Sequence, residues 1–119
     1  MVVERVSGQT LKEFTQERIF GPLGMTGTHF HDDHQMIVPN RAYSYSQEED
    51  GVFKKSVLSY ANVGATSLFT TAEDLARWAI NFDGGDFHSD VIGKMQTKGI
   101  LNDGKEIPYA HGVILSELG

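Results

Sequence analysis

Residues 67–82, Ser67-Leu68-Phe69-Thr70-Thr71-Ala72-Glu73-Asp74-Leu75-Ala76-Arg77-Trp78-Ala79-Ile80-Asn81-Phe82, restrict the fold more than any other stretch. They spell out a helix with its start, its apolar face and its end. Thr70 and Thr71 are both good N-caps, and Thr70-x-x-Glu73 is a capping box in which each side chain satisfies an otherwise orphaned backbone N–H. Glu73 and Asp74 then place two carboxyl groups in the first turn, at the positive end of the helix dipole. Leu75, Trp78, Ala79 and Phe82 recur at helical spacing as one apolar stripe, with Glu73, Arg77 and Asn81 on the opposite side. Gly84-Gly85 is the stop.

The remainder of the chain alternates short helices with turns. Met1 to Val6 reads as part of a helix entered midway, broken by Ser7-Gly8-Gln9. Thr10-x-x-Glu13 is a second capping box, in front of Leu11, Phe14 and Ile19, and Gly21-Pro22 ends that helix because proline lacks the N–H and displaces its predecessor from the α region. Leu23 to Thr28 is a turn-rich link with two apolar anchors. Between His29 and Asn62 no helical period is sustained, so a long irregular connection is expected, with short strands over 42–46 and 51–54. Ser89 is expected to cap a brief helix carrying Val91, Ile92 and Met95, closed by Gly99. Asn102-Asp103-Gly104 predicts a hairpin joining strands near Ile100 and Ile107, and Tyr109 to Leu115 then continues as extended chain. The expected class is α+β, mainly helical, with a long irregular loop and a C-terminal β-hairpin.

With 119 residues there is room for one domain or a piece of one. The end at Gly119 carries no cap or polar tail, and both ends read as severed. Ten Lys and Arg against 16 Asp and Glu give a net charge of −6, which argues against nucleic acid or an anionic membrane as partner. No cysteine is present, so disulfides, thiolate metal sites and a Cys nucleophile are excluded, and the compartment stays open. The apolar runs are too short for a membrane span or a signal peptide.

Two stretches advertise chemistry. His29-Phe30-His31-Asp32-Asp33-His34 fits H-x-H-x-D-H, a pattern with which metallo-β-lactamase-like hydrolases hold zinc and activate a water. A metal-dependent hydrolase or metal-binding module using His29, His31, Asp33 and His34 is therefore one alternative. Its surroundings favour a plain polar turn, since no buried strand precedes it, no helix follows, and only His88 and His111 remain as further histidines. Tyr60-Ala61-Asn62 has the form of the Tyr-x-Asn element of serine β-lactamases. That element needs a serine with a neighbouring base, and no Ser in this chain is followed three positions later by Lys. Lys-Thr-Gly, a Gly-x-Ser-x-Gly elbow and a phosphate-binding glycine loop are also missing from the sequence.

Three further stretches carry a resemblance. Val6-Ser7-Gly8-Gln9-Thr10-Leu11-Lys12-Glu13-Phe14, Ile19-Phe20-Gly21-Pro22-Leu23-Gly24-Met25-Thr26-Gly27-Thr28 and Thr70-Thr71-Ala72-Glu73-Asp74-Leu75-Ala76-Arg77-Trp78 resemble, in order, the serine β-lactamase-related family. That family includes class C β-lactamases, penicillin-binding proteins, D-aminopeptidases and related esterases. The resemblance implies a partial β-lactamase/transpeptidase-like fold, with 1–119 a single fragment lacking the N-terminal nucleophile segment and the C-terminal sheet strands. It implies a parent that acylates an active-site serine without a cofactor. By family order, Ser-x-x-Lys and Tyr-x-Asn precede the Val-Ser-Gly-Gln match, and the Lys-Thr-Gly or His-x-Gly strand follows Tyr109-Ala110-His111-Gly112. The chain alone is then expected to be inactive, and Tyr60-Ala61-Asn62 to be a decoy.

The resemblance further implies that the loop before the Thr-Ala-Glu-Asp helix edges the substrate cleft. Tyr60, Asn62, Thr66 and Ser67 are the rim candidates. By register from Glu73-Asp74, the position where class C β-lactamases present an aromatic side chain falls at or near Thr66, which points to peptidase or esterase chemistry rather than β-lactam hydrolysis. The expected partner is the remainder of the parent hydrolase domain. A third alternative is a non-catalytic assembly module, in which apolar surface exposed by the missing sheet drives dimerisation or domain swapping.

Overall fold

The computed structural model describes residues 2–56 and 62–116. Two compact units divide them, one running to Leu75 and one beginning at Ala76. Helical residues outnumber strand residues, and among the described residues the strands form three two-stranded antiparallel sheets, so the class is α+β and mainly helical. None of the described helices is long and apolar enough to cross a membrane.

In the first unit, α1 (Val2–Ser7) precedes α2 (Leu11–Thr15), which opens with the expected capping box. The Glu13 N–H donates to Thr10 Oγ1 at 3.2 Å, and the Thr10 N–H donates to Glu13 Oε2 at 2.9 Å. Donation from the Thr10 hydroxyl and N–H holds the Glu13 carboxyl below its ordinary pKa. After Thr15 the helix widens into one π turn, Gln16–Phe20. The Thr15 hydroxyl donates to the Leu11 carbonyl at 2.8 Å, and such back-bonding perturbs the regular ladder. Gly21 is required where it stands, because a Cβ there would lie 2.8 Å from the Gln16 carbonyl oxygen. Gly24, at φ +66°, then turns the chain, and the Met25 N–H donates to the Phe20 carbonyl at 2.8 Å. Phe20 and Met25 are buried, and Phe20 meets Phe30 with ring centroids 6.2 Å apart.

β1 (His29–Phe30) pairs with β4 (Leu68–Phe69), placing His29 opposite Phe69 and Phe30 opposite Leu68. Between them, β2 (Tyr45–Gln47) pairs with β3 (Phe53–Lys55), a few residues later than the alternation suggests. Gly51 at φ +83° supplies the turn, and Lys54 reaches Glu48 at 3.5 Å.

The helix that the sequence announces most clearly is α3 (Ala72–Phe82), but its cap and its buried face differ from expectation. Thr71 is the cap: its Oγ1 accepts from the Asp74 N–H at 3.2 Å. Thr70 Oγ1 instead meets Thr28 Oγ1 at 2.8 Å. Asp74 is buried at 1% exposure, and its Oδ2 accepts both the Gly27 N–H and the Thr28 hydroxyl at 2.8 Å. The Thr28 proton is thus committed to Asp74, so Thr70 is the donor of the pair. Packing here is tight: a Cβ on Gly27 would sit 2.8 Å from Thr71 Cγ2 and 3.3 Å from Asp74 Oδ2. Gly27→Ala is expected to destabilise by about 1–2 kcal/mol, read as a lower urea midpoint at unchanged slope.

In the second unit, Asn81 is buried and donates to the Phe87 carbonyl at 3.1 Å, whereas Ile80 is 73% exposed. Leu75, at the end of the first unit, is likewise exposed. The buried side of α3 is therefore rotated from the apolar stripe towards Asp74 and Asn81, because polar groups with fixed partners are buried in place of aliphatic ones. Trp78 is half-buried and meets Phe82 at 6.1 Å. The Gly84-Gly85 stop holds: Gly84 has φ +119°, and a Cβ on Gly85 would lie 2.4 Å from Asn81 Oδ1.

α4 (Ser89–Met95) contains Ser89 as its first residue rather than its cap; His88, at φ +52°, occupies the cap position without a side-chain hydrogen bond. Gln96 ends it, and Gly99 belongs to β5 (Gly99–Ile100). β5 pairs with β6 (Glu106–Ile107) through a turn with Gly104 at φ +83°, as the Asp-Gly pair predicts. The segment after β6 is not extended throughout. A bridge pairs Tyr109 with Ile114, the Ala110 N–H donates to the Val113 carbonyl at 2.9 Å, and Gly112 turns at φ +90°.

Candidate functional site

The short strand pair β1–β4 positions the candidate rim. Ser67 precedes β4, and its carbonyl accepts the His31 N–H at 2.8 Å. Its backbone is left-handed, φ +68°, a conformation that a non-glycine residue holds only when its surroundings impose it. Those surroundings are a tight loop: Val63 bridges Thr66, and the Thr66 N–H and hydroxyl both donate to the Asn62 carbonyl at 3.2 Å. Thr66 and Ser67 hydroxyls are 3.2 Å apart. With the Thr66 proton on Asn62, Ser67 is the donor between them, and its partner is a hydroxyl rather than a base. Asn62, Thr66 and Ser67 are thus brought together, while Tyr60 lies outside the described residues.

The histidine run divides into two environments. His29 and His31 lie two residues apart along the extended chain, on one face. His31 is 0% exposed and stacks on Phe69, with centroids 4.3 Å apart and planes 4° from parallel. The His29 ring centroid is 5.5 Å from that of Phe69 and 5.7 Å from that of His31. His29 Nε2 and both His31 nitrogens are buried without hydrogen-bond partners. Asp33 and His34 are exposed, and Asp33 Oδ1 accepts the Gln35 N–H at 2.9 Å to close a turn. Among the described residues no group of three or more His, Asp or Glu side chains converges well enough to hold a metal ion.

Beside this layer Lys12 reaches Asp32 at 2.6 Å and holds its carboxyl below the ordinary range, tying α2 to the end of β1. On the other side of Phe69 the Arg41 guanidinium lies 4.8 Å from the ring centroid and 5.0 Å from that of Tyr43. An open groove of about 1070 Å³ runs past these groups, between the β1–β4 layer and residues 38–44.

Burial, then the charges of His31 and Lys12, push the His29 pKa down, and Asp32 opposes them weakly. In the window between the folded value and the ordinary imidazole value of about 6.5, the unfolded chain binds more protons than the folded one. The stability contributed by neutral His29 is therefore fully present above about pH 6.5 and is lost as pH falls towards the folded value. Melting temperature is expected to rise with pH across that window, with a shallower rise in His29→Gln. Equal slopes in the two proteins would remove His29 as the source.

Sequence reasoning did not find Asp74, Arg41 or Phe69 as organising groups. Asp74 stood out only as a first-turn carboxyl, and nothing local to Thr-Ala-Glu-Asp tells which of the two acids turns inward.

Asn62, Thr66 and Ser67 thus form one hydrogen-bonded loop at the start of β4, and among the described residues no side-chain base is hydrogen-bonded to its hydroxyls. The Beta-lactamase family model matches residues 1–119, and the chain belongs to that family. Lovastatin esterase from Penicillium rubens is 39% identical over 57 residues, covering 48% of this chain and 14% of that protein. Among solved structures, the octameric penicillin-binding protein homologue from Pyrococcus abyssi superposes with a TM-score of 0.76 at 24% identity over 95% of this chain and 27% of that one. The penicillin binding protein from Bacillus halodurans gives 0.76 at 24% identity over 98% of this chain and 37% of that one. A simvastatin synthase mutant from Aspergillus terreus gives 0.66 at 20% identity, over 87% and 28%. These structures share the fold of the chain, and the chain spans well under half the length of each of these proteins.

Proposed function

We propose that residues 1–119 are the cleft-wall and support segment of a serine hydrolase of the penicillin-binding, peptidase or esterase type. The domain reading belongs to the same proposal: a single piece of a β-lactamase-related domain, completed by a nucleophile segment and sheet strands outside this sequence. The observation that carries it is the loop of Asn62, Thr66 and Ser67, strained at Ser67 and held at the start of β4 by the His31–Ser67 hydrogen bond. A strained loop fixed to a small sheet is how a rim is kept in one place. Tyr60 is assigned to the same rim by the family resemblance alone.

Esters and peptides suit this rim better than β-lactams, because Thr66 offers no aromatic face, and the likeness to a lovastatin esterase favours the ester class. No cofactor is needed for serine acylation. Among the described residues no base is hydrogen-bonded to the Ser67 hydroxyl, so the chain itself is expected not to acylate. Incubation with nitrocefin and p-nitrophenyl acetate should give neither a burst nor a mass increment on any serine. A reproducible acyl-serine would overturn the proposal. In a longer protein carrying this segment, Thr66→Tyr should change KM for p-nitrophenyl esters more than kcat; an unaltered KM would remove Thr66 from the rim.

A further inference from the structure

The groove shares its Arg41 and Tyr43 wall with a smaller pocket of about 290 Å³, whose other walls include His34, Met36, Ile37 and Lys55. Its chemistry is two-sided. Arg41 and Lys55 approach the same Tyr43 ring, the Lys55 Nζ at 3.2 Å from its centroid and the Arg41 guanidinium at 5.0 Å. Among the described residues neither has a carboxylate oxygen within 4.0 Å, although this chain carries more acids than bases and pairs Lys12, Arg18, Lys54 and Lys98 with acids. Glu48 is engaged by Lys54, Asp32 by Lys12, and Asp33 by the Gln35 N–H. Two cations held against one ring, both lining the same pocket, leave positive charge there that a bound anion would offset. Met36 and Ile37 line the same pocket and supply its aliphatic side chains, Ile37 being 88% exposed.

We propose that this pocket binds an amphipathic monocarboxylate, with the carboxylate drawn to the Arg41 and Lys55 side chains that line it and a short alkyl chain against Met36 and Ile37. Arg41 offers a planar fork that matches a carboxylate, and Lys55 adds a second charge. A volume of about 290 Å³ is at the small end of ligand pockets and admits a chain of a few carbons. The site does not depend on serine acylation by any part of the protein.

The test is titration of the 119-residue chain with hexanoate, followed by NMR shifts of the Met36 methyl, Tyr43 ring and Lys55 signals. Saturable shifts at all three are expected, with 1-hexanol and inorganic phosphate each binding at least about tenfold more weakly, since each supplies only half of the recognition. Lys55→Gln and Ile37→Ser alter exposed side chains and should each weaken hexanoate by roughly tenfold, a loss of about 1.4 kcal/mol. Phosphate binding as tightly as hexanoate would make the pocket a general oxyanion site and overturn the proposal. So would hexanol shifts equal to those of hexanoate, unchanged affinity in both variants with native spectra, or no saturable shift at all.

Discussion

Asp74→Ala is expected to lower the stability of the chain by about 3 kcal/mol, a larger loss than that of either Gly27→Ala or Phe69→Ala. Asp74 Oδ2 is the acceptor for two donors, the Gly27 N–H and the Thr28 hydroxyl, each at 2.8 Å and remote in sequence. Removing the carboxyl leaves a backbone donor without its partner and frees the Thr28 hydroxyl, and a buried unsatisfied group costs about 1–3 kcal/mol. Alanine's better helix propensity returns only a few tenths. Urea denaturation at fixed pH is the measurement. Asp74→Asn keeps the volume and one carbonyl oxygen, so it should fall between alanine and the parent. If alanine and parent share a midpoint, the clamp contributes nothing.

Phe69→Ala is the second, at about 2–3 kcal/mol, somewhat below a fully buried phenylalanine because Phe69 is half-buried. Its ring carries three contacts at once: the parallel stack with His31, the tilted contact with His29 and the Arg41 guanidinium. Truncation opens the layer that supports Ser67 as well as removing apolar area. The companion substitution has the opposite sign. His31→Phe preserves a stacked ring on Phe69 and removes two buried nitrogens that have no partners, so it should be neutral or stabilising by about 1 kcal/mol. A large destabilisation in His31→Phe would show that the imidazole nitrogens have partners after all. The two substitutions read out separately: one tests the Phe69 ring, the other the polarity of the ring stacked on it.

Much of the local structure was legible from residue types alone. The Thr10–Glu13 box, the stop at Gly84-Gly85 and the hairpin at Asp103-Gly104 depend on groups a few residues apart, and the structure has all three. The family was legible too, because Pro-Leu-Gly-Met-Thr and Thr-Ala-Glu-Asp-Leu-Ala-Arg-Trp are local strings. The arrangement of the candidate site residues was legible only in part. Asn62, Thr66 and Ser67 do share one loop, but the histidine pattern that suggests a metal centre is split between a buried stack and an exposed turn.

By itself, then, the sequence determined the capping box that opens α2, the stop at Gly84-Gly85, the turn at Asp103-Gly104 and the family to which the chain belongs. The box, the stop and the turn follow from short-range hydrogen bonding and backbone sterics, which act between near neighbours, and the family from strings of consecutive residues. Tertiary structure alone decided that Thr71 rather than Thr70 caps α3, that Asp74 rather than Leu75 turns inward, and that Phe69 gathers His29, His31 and Arg41. Those choices depend on partners some tens of residues away, such as Gly27 and Thr28 for Asp74. A helix that buries a carboxyl does so only because those donors are already waiting for it.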